Sequence, residues 1–128
     1  MSQENVDAVC LSIEAYQRGD YVAATAYLAP DVMWESGQEL PAQGPAAVRR
    51  MWTRWTSDWE QLDMVDEEFI DAGDHVVVVM HYRARGRLSG VAVEKEEFEV
   101  HTFRDGQCVR KVNFGTRAEA LEAVGLSK

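Results

Sequence analysis

The sequence predicts an α+β protein in which a curved antiparallel sheet wraps around N-terminal helices and encloses an apolar pocket. The prediction depends on two observations. Apolar residues recur at helical spacing in the first half of the chain, whereas residues 75–114 follow the two-residue alternation of strands. Within that segment, Asp105-Gly106 separates two alternating runs, as the turn of a β-hairpin does. Helices that precede an antiparallel sheet in the chain are typical of the α+β class.

The composition restricts the partners that the protein can have. Its 128 residues have a formal net charge of −9, which argues against nucleic acid and anionic membranes, because both call for a basic face. No apolar run approaches the ~18 residues of a membrane span, and the acidic N-terminus lacks the features of a signal peptide. Because the sequence has no repeat, low-complexity segment or linker, we expect a single domain over residues 1–128 with a cytoplasmic location.

The N-terminal segment predicts two helices. Residues 3–18 have apolar side chains at helical spacing, and Gly19 is of the type found just beyond a helix end. Asp20 can cap a second, shorter helix through about Leu28, which Pro30 would stop.

A strand over residues 31–36 and a loop to Gly44 then lead to the longest predicted helix. This helix begins at Pro45, because proline is well tolerated at the first helical position. Its apolar stripe consists of Val48, Met51, Trp52, Trp55, Trp59 and Leu62. We interpret the tryptophans as an apolar face packed on a sheet, with an aromatic cage around a ligand as the alternative.

Strands fill most of the remaining chain. A strand over residues 62–72 precedes a three-stranded meander over residues 75–114. Thr116 and Glu119 have the spacing of a capping box, which predicts a final helix to about Val124.

The two hairpin turns assign the side chains of the meander to faces. A two-residue turn at Ser89-Gly90 would place Met80 opposite Glu99, and a turn at Asp105-Gly106 would place His101 opposite Arg110. The predicted inner face contains Val76, Val78, Met80, Tyr82, Phe103, Cys108, Val112 and Phe114, with Glu99, His101 and Arg110 among them. A slip of one residue in either hairpin would exchange the faces.

The opposite face of the meander is also apolar. It contains Val77, Val79, Phe98 and Val100, and full exposure would leave a hydrophobic patch. We therefore expect a homodimer that forms through this outer sheet face.

The polar residues of the inner face are the candidate catalytic set. Glu99, His101 and Arg110 can act as base, acid and anion clamp. The alternative is a structural Glu99–Arg110 ion pair with His101 in a polar gap, because an unpaired buried charge is costly. The expected walls of a site for a hydrophobic small molecule are Trp34, Tyr82, Met80, Trp55, Val112, Phe114 and Tyr16. The histidines and cysteines lack the spacing of metal ligands, and phosphate-binding glycine motifs do not occur, so we predict no metal and no cofactor.

Several phrases of the sequence resemble the SnoaL-like branch of the nuclear-transport-factor-2-like superfamily. They are AYQRGDYVAATAYLAPDVMWES at residues 15–36, Gly44-Pro45, DHVVVV at residues 74–79, and HTFRDGQCVRKVNF followed by TRAEALEAVGL within residues 101–126. The resemblance covers essentially the whole chain. It implies a cone-shaped α+β barrel with a deep apolar pocket, commonly dimeric through the outer face of the sheet.

The catalytic residues of that superfamily do not match this chain. Ser36 stands where the isomerases place a general-base aspartate, and Ser12 where they place a tyrosine. Gly115-Thr116 occupies the place of an aspartate in the cyclases. The resemblance therefore favours binding of a hydrophobic small molecule whose identity the sequence does not give. The alternatives are an acid/base enzyme of the isomerase, polyketide cyclase or epoxide hydrolase type, and a non-catalytic dimeric interaction domain.

Overall fold

A computed structural model describes residues 2–37 and 40–126. The helices of this part are α1 (Ser2–Gln17), α2 (Tyr21–Ala24), α3 (Pro45–Ser57) and α4 (Arg117–Ala123). The strands are β1 (Leu28–Glu35), β2 (Ala42–Gln43), β3 (Trp59–Ala72), β4 (His75–Gly86), β5 (Ala92–Arg104) and β6 (Gln107–Phe114). None of the helices in this part combines the length and the apolar character needed to cross a membrane.

The strands form one sheet in the order β2-β1-β6-β5-β4-β3. All neighbouring strands are antiparallel except β1 and β6, which are parallel. Helices α1 and α3 pack on the inner face, where Val9 and Val48 join the main core. The α+β class is therefore confirmed, with one parallel pair in a sheet that was predicted to be antiparallel.

The second helix is shorter than predicted, and the first strand is longer. Asp20 does cap α2, since its side chain accepts a hydrogen bond from the Ala23 N–H. The helix ends at Ala24, however, and Leu28 already belongs to β1. Pro30 lies inside that strand, where the pairing with β6 is irregular. Proline donates no backbone hydrogen bond, so it is tolerated in an irregular part of a ladder.

Helix α3 ends at Ser57, so Trp59 and Leu62 belong to β3 and not to the helical stripe. The reason is a tertiary contact at the helix end. The guanidinium of Arg87 donates hydrogen bonds to the carbonyls of Ser57 and Trp59, both at 3.0 Å. The bond to Ser57 satisfies a carbonyl group that the helix end leaves unpaired, and the bond to Trp59 holds the start of β3. The sequence around the helix does not reveal either bond.

The first hairpin differs from the predicted register by two residues. Met80 lies opposite Glu97, and Val78 lies opposite Glu99. The loop is longer than a two-residue turn, because the Gly86 N–H donates to the Val91 carbonyl at 3.0 Å. A shift of two residues leaves every side chain on its predicted face.

The second hairpin begins as predicted and then changes register. Asp105 and Gly106 have φ values of 54° and 80°, which is the backbone that a type I′ turn requires. Phe103 pairs with Cys108 as expected, but the ladder then shifts by one residue and places His101 opposite Lys111. The unpaired extra residue on β6 is Val109, so this irregularity is a β-bulge.

Helix α4 packs on the outer face of the sheet. Val77 and Val100 are buried against Ala120 and Leu121 in a second hydrophobic cluster. Much of the apolar patch on which we based the homodimer interface is therefore covered within the chain itself. The oligomeric state stays a prediction.

Candidate functional site

A cavity of about 690 Å³ lies between the two long helices and the inner face of the sheet. Ligand sites commonly have volumes of ~300–1,000 Å³. The helical wall consists of Val9, Ser12, Ile13 and Tyr16 from α1 and Met51, Trp52 and Trp55 from α3. The sheet wall includes Trp34, Trp59, Met64, Met80, Tyr82, Glu97, Glu99, His101, Lys111 and Asn113.

Aromatic rings form much of this lining. Trp52 and Trp55 are one helical turn apart on α3, and both border the cavity. The ring of Trp52 meets Tyr16 edge-on at 5.3 Å between centroids, and Trp55 meets Tyr82 in the same way at 5.7 Å. The indole N–H of Trp59 is buried and has no hydrogen-bond partner among the described residues. Buried donors without a partner are rare in proteins, and some are completed by water or a ligand.

Three polar residues of β5 point into the cavity. Glu97, Glu99 and His101 alternate along the strand, and a two-residue period directs them to one face. The Nε2 of His101 is 2.9 Å from a carboxylate oxygen of Glu99, and its Nδ1 is 3.1 Å from the hydroxyl of Tyr27. Because protein groups occupy both ring nitrogens, His101 holds its neighbours in place and does not present a nitrogen to a ligand.

A buried cation faces this row from β6. Lys111 is only 2% exposed, and its ammonium donates to the Glu35 carbonyl at 3.2 Å and to Asn113 Oδ1 at 2.7 Å. It also lies 4.4 Å from the ring centroid of Trp34, which is a cation–π distance. Burial lowers the pKa of Lys111, against the opposing effect of Glu99 and Glu97.

The pKa values of the two glutamates in the row shift in opposite directions. Burial alone would raise the pKa of Glu99, but Lys111 and His101 together outweigh it and lower that pKa. Burial raises the pKa of Glu97 to about 7, and the negative charge of Glu99 adds to this effect. The hydrogen bond found for the Glu97 carboxylate comes from the hydroxyl of Tyr82 and is long, at 3.5 Å. Glu97 is therefore a carboxyl group that changes charge near neutral pH inside the cavity.

Most of the predicted site residues do surround the cavity. Those on its lining are Glu99, His101, Trp34, Tyr82, Met80, Trp55, Tyr16 and Phe114. Phe114 was also expected on the inner face, but it pairs with Phe98 and packs in the outer cluster under α4, so it borders the cavity only at the end of β6. Arg110 and Val112 were expected on the inner face and do not lie there, because the bulge at Val109 turns them outward. The Arg110 side chain is 57% exposed and forms an ion pair with Glu35 at 2.9 Å.

Sequence reasoning missed Glu97 and Lys111. The alternation of Glu97, Glu99 and His101 is visible in the sequence, but our candidate set included only Glu99 and His101 of these three residues. Lys111 follows Arg110 directly, and only the bulge decides which of the two cations enters the cavity. Within residues 2–37 and 40–126, no group of three or more His, Cys, Asp or Glu side chains is arranged to hold a metal ion.

The fold is shared with several solved structures. An NTF2-like protein of unknown function from Burkholderia pseudomallei superposes with a TM-score of 0.80 at 23% identity, over 95% of this chain and 98% of that chain. A protein from Xanthomonas campestris, provisionally assigned as a polyketide cyclase, gives 0.79 at 23% identity, over 97% and 98%. TerC, crystallised with polyporic acid, gives 0.76 at 21% identity, over 94% and 98%. Identities this low establish the NTF2-like fold and nothing more specific.

The sequence itself identifies the family. The model of the SnoaL-like domain matches residues 11–111, which is most of the chain. This protein therefore belongs to the SnoaL-like family, as the resemblance predicted. A comparison with curated proteins finds no match.

Proposed function

We propose that this protein binds a hydrophobic small molecule in the cavity between α1, α3 and the sheet. The observation that supports this most directly is an aromatic-lined space of about 690 Å³. The space opens to solvent, and concave sites lined mainly by apolar and aromatic side chains with a few polar groups are the usual form of small-molecule sites. The polyporic acid with which TerC was crystallised supports a small-molecule ligand for this fold.

The tryptophans provide a direct assay for binding. The chain has 4 tryptophans, and Trp34, Trp52, Trp55 and Trp59 all line the cavity. A molecule that enters the cavity should therefore change the whole tryptophan emission of the protein. We expect saturable quenching by 2-naphthol, a neutral aromatic probe.

A pair of variants on α1 tests where the probe binds. Ile13 lines the cavity, so Ile13→Phe should reduce the space and weaken 2-naphthol binding at least tenfold. Leu11 lies two residues earlier and is 65% exposed, so Leu11→Phe should leave binding unchanged. No saturable quenching in the wild type, or equal affinities in both variants, would contradict the proposal.

Acid/base chemistry in the same cavity is a second candidate function. It is favoured by the position of Glu97 in the cavity and by its pKa of about 7, because a general acid or base works best near the operating pH. In this scheme Glu97 transfers the proton, while Glu99 and His101 hold the site in place. Arg110 has no part in it, since it lies outside the cavity.

Proton exchange in a ketone probe tests this second function. The protein should accelerate deuterium incorporation at the α-carbon of 2-tetralone in D₂O, followed by ¹H NMR. Glu97→Gln should abolish the acceleration. Glu94→Gln, an exposed residue on the same strand, should retain it. Equal rates in wild type and Glu97→Gln would exclude Glu97 as the base.

Homodimerisation through the outer sheet face remains a prediction from the family resemblance. Helix α4 covers Val77 and Val100, so the apolar contribution to such a contact is smaller than we expected. Light scattering at high protein concentration measures the mass directly, and a purely monomeric mass would contradict the prediction.

A further inference from the structure

We propose that the part of the cavity around Glu97 binds a cationic group of the ligand, either a protonated amine or a quaternary ammonium. This inference rests on the proposed binding function and adds the chemical class of the ligand. Its first basis is the charge balance of the lining. The inner face of the lining has two carboxylates, from Glu97 and Glu99, and one buried ammonium group, from Lys111, whereas Lys95 and Glu96 are exposed. One negative charge is therefore in excess on the inner face when these three groups are ionised.

The excess falls on Glu97. The carboxylate of Glu99 accepts a hydrogen bond from His101 at 2.9 Å and faces the charge of Lys111. Glu97 has only the long contact with Tyr82, at 3.5 Å, among the hydrogen bonds of the described residues. A partly buried carboxylate whose hydrogen bond is this long is poorly compensated, and a cation of the ligand would supply a closer partner.

Four aromatic residues of the cavity lining form two ring pairs, Tyr16 with Trp52 and Trp55 with Tyr82, and the hydroxyl of Tyr82 contacts Glu97. Tyr16 and Trp52 are perpendicular to within a few degrees, with an interplanar angle of 86°, and Trp55 and Tyr82 form a similar pair at 83°. All four residues line the cavity. The faces of aromatic rings attract ammonium groups, so rings that border the cavity can add cation–π attraction to the charge of Glu97.

Glu97 lies beside these rings, since the hydroxyl of Tyr82 is 3.5 Å from its carboxylate. Burial is the main cause of the raised pKa of Tyr16 on α1, and the negative charge of Glu97 adds to it. Burial likewise raises the pKa of Tyr82 on β4, and the charge of Glu97 adds to that shift as well. A carboxylate close to both tyrosines adds a full negative charge to the partial charges of the ring faces.

An anionic ligand group has a poorer partner in this cavity. Two of the three N–H donors of Lys111 have acceptors in Glu35 and Asn113, and its ammonium also contacts Trp34. Lys111 is therefore largely satisfied within the protein. An anion would also meet the charges of Glu97 and Glu99, which makes a cation the favoured class.

A matched pair of probes tests the charge preference. Benzyltrimethylammonium carries the cation, and neopentylbenzene is its neutral carbon isostere, so the two differ mainly in charge. At pH 8 we expect the cation to bind the wild type at least about tenfold more tightly, as judged by tryptophan fluorescence, because only the cation is attracted by the ionised Glu97 carboxylate and a charge pair that is shielded from water readily supplies a difference of this size. Glu97→Gln should lose this preference, and Glu94→Gln should keep it.

The pH dependence provides a test that needs no variant. The charged and titratable groups that act on Glu97 are Glu99 and Lys95 on β5, Lys111 on β6 and Tyr82 on β4, with Tyr16 facing from α1. Because the cation requires the ionised carboxylate, its affinity should fall about tenfold between pH 8 and pH 6. The affinity of neopentylbenzene should not fall.

The outcomes separate this inference from the proposed function. Equal affinities for the two probes at pH 8, or a preference that survives in Glu97→Gln, would overturn the cation site. If 2-naphthol still binds in that case, the binding function stands without it. If none of the three probes binds, both proposals fail.

Discussion

Replacement of Lys111 by methionine tests whether a buried cation keeps Glu99 charged inside the protein. Methionine retains an unbranched apolar stem but removes the ammonium group that Glu99 faces. The ammonium bonds to the Glu35 carbonyl and to Asn113 are lost as well. Removal of one partner from a buried charge pair costs about 3–5 kcal/mol, because the other charge is left uncompensated. We expect the free energy of unfolding to fall by about 3 kcal/mol, the lower end of this range. The reason is that Glu99 keeps its bond to His101 at 2.9 Å and can take up a proton.

Arg110→Met is the matched control because it removes the adjacent cation from the same strand. Its side chain is 57% exposed and pairs with Glu35 at the surface. Exposed ion pairs contribute only ~0–1 kcal/mol. Urea denaturation at pH 7 gives the free energy of unfolding of both variants, and the loss should be several times larger for Lys111→Met.

The loss in Lys111→Met should also depend on pH. In the wild type the pKa of Glu99 is lowered, so its ionisation stabilises the fold above the unfolded-state pKa of about 4.3, and this contribution is lost as the pH falls through the folded-state pKa. Without Lys111, burial becomes the main influence and raises the pKa of Glu99. The variant then loses stability as the pH rises above about 4.3. The difference in the free energy of unfolding between the wild type and Lys111→Met should therefore be larger at pH 7 than at pH 5.

Two results would refute this reasoning. The first is an equal loss of stability in Lys111→Met and Arg110→Met. The second is a deficit at pH 5 as large as the deficit at pH 7. Either result would mean that the charge of Glu99 does not depend on Lys111.

Three further predictions concern the row of polar residues and the helix that covers the outer face. A ¹³C NMR titration of Glu97 should give a midpoint near 7, the value that burial and its charged neighbour produce; a midpoint near 4 would show that water reaches the carboxylate freely. Tyr27→Phe removes the hydroxyl bonded to His101 and should cost about 1–3 kcal/mol in urea denaturation, because the ring nitrogen loses its partner. Thr116→Ala removes the N-cap bond of α4 and should cost about 1 kcal/mol, whereas Thr53→Ala, at an exposed position within α3, should change stability by less than about 0.5 kcal/mol.

The sequence predicted those features that depend on local pattern. The α+β class followed from the change of periodicity along the chain. The turn at Asp105-Gly106 was predictable because few residues adopt positive φ without strain, and glycine is foremost among them. The error of two residues in the first hairpin was harmless, because an even shift preserves the faces.

The errors concern features that depend on distant contacts. The end of α3 depends on Arg87, which lies 30 positions after Ser57 in the chain. The covering of the outer face depends on where α4 packs, and its capping pattern predicts only that a helix forms. The bulge at Val109 leaves no mark in the alternation of β6, so the sequence could not show that Lys111 enters the cavity instead of Arg110.

The bulge on β6 has a consequence for the comparison of related chains. Because the bulge inserts one extra residue at Val109, each later residue of β6 faces the side that the residue one position earlier would face in a regular strand. A homologue with a single-residue gap at this position would therefore present the counterpart of Lys111 to its cavity without any bulge. An alignment without that gap would instead pair the cavity cation of one protein with a surface residue of the other. Matching by position in the cavity, and not by count along the strand, is what identifies equivalent residues here.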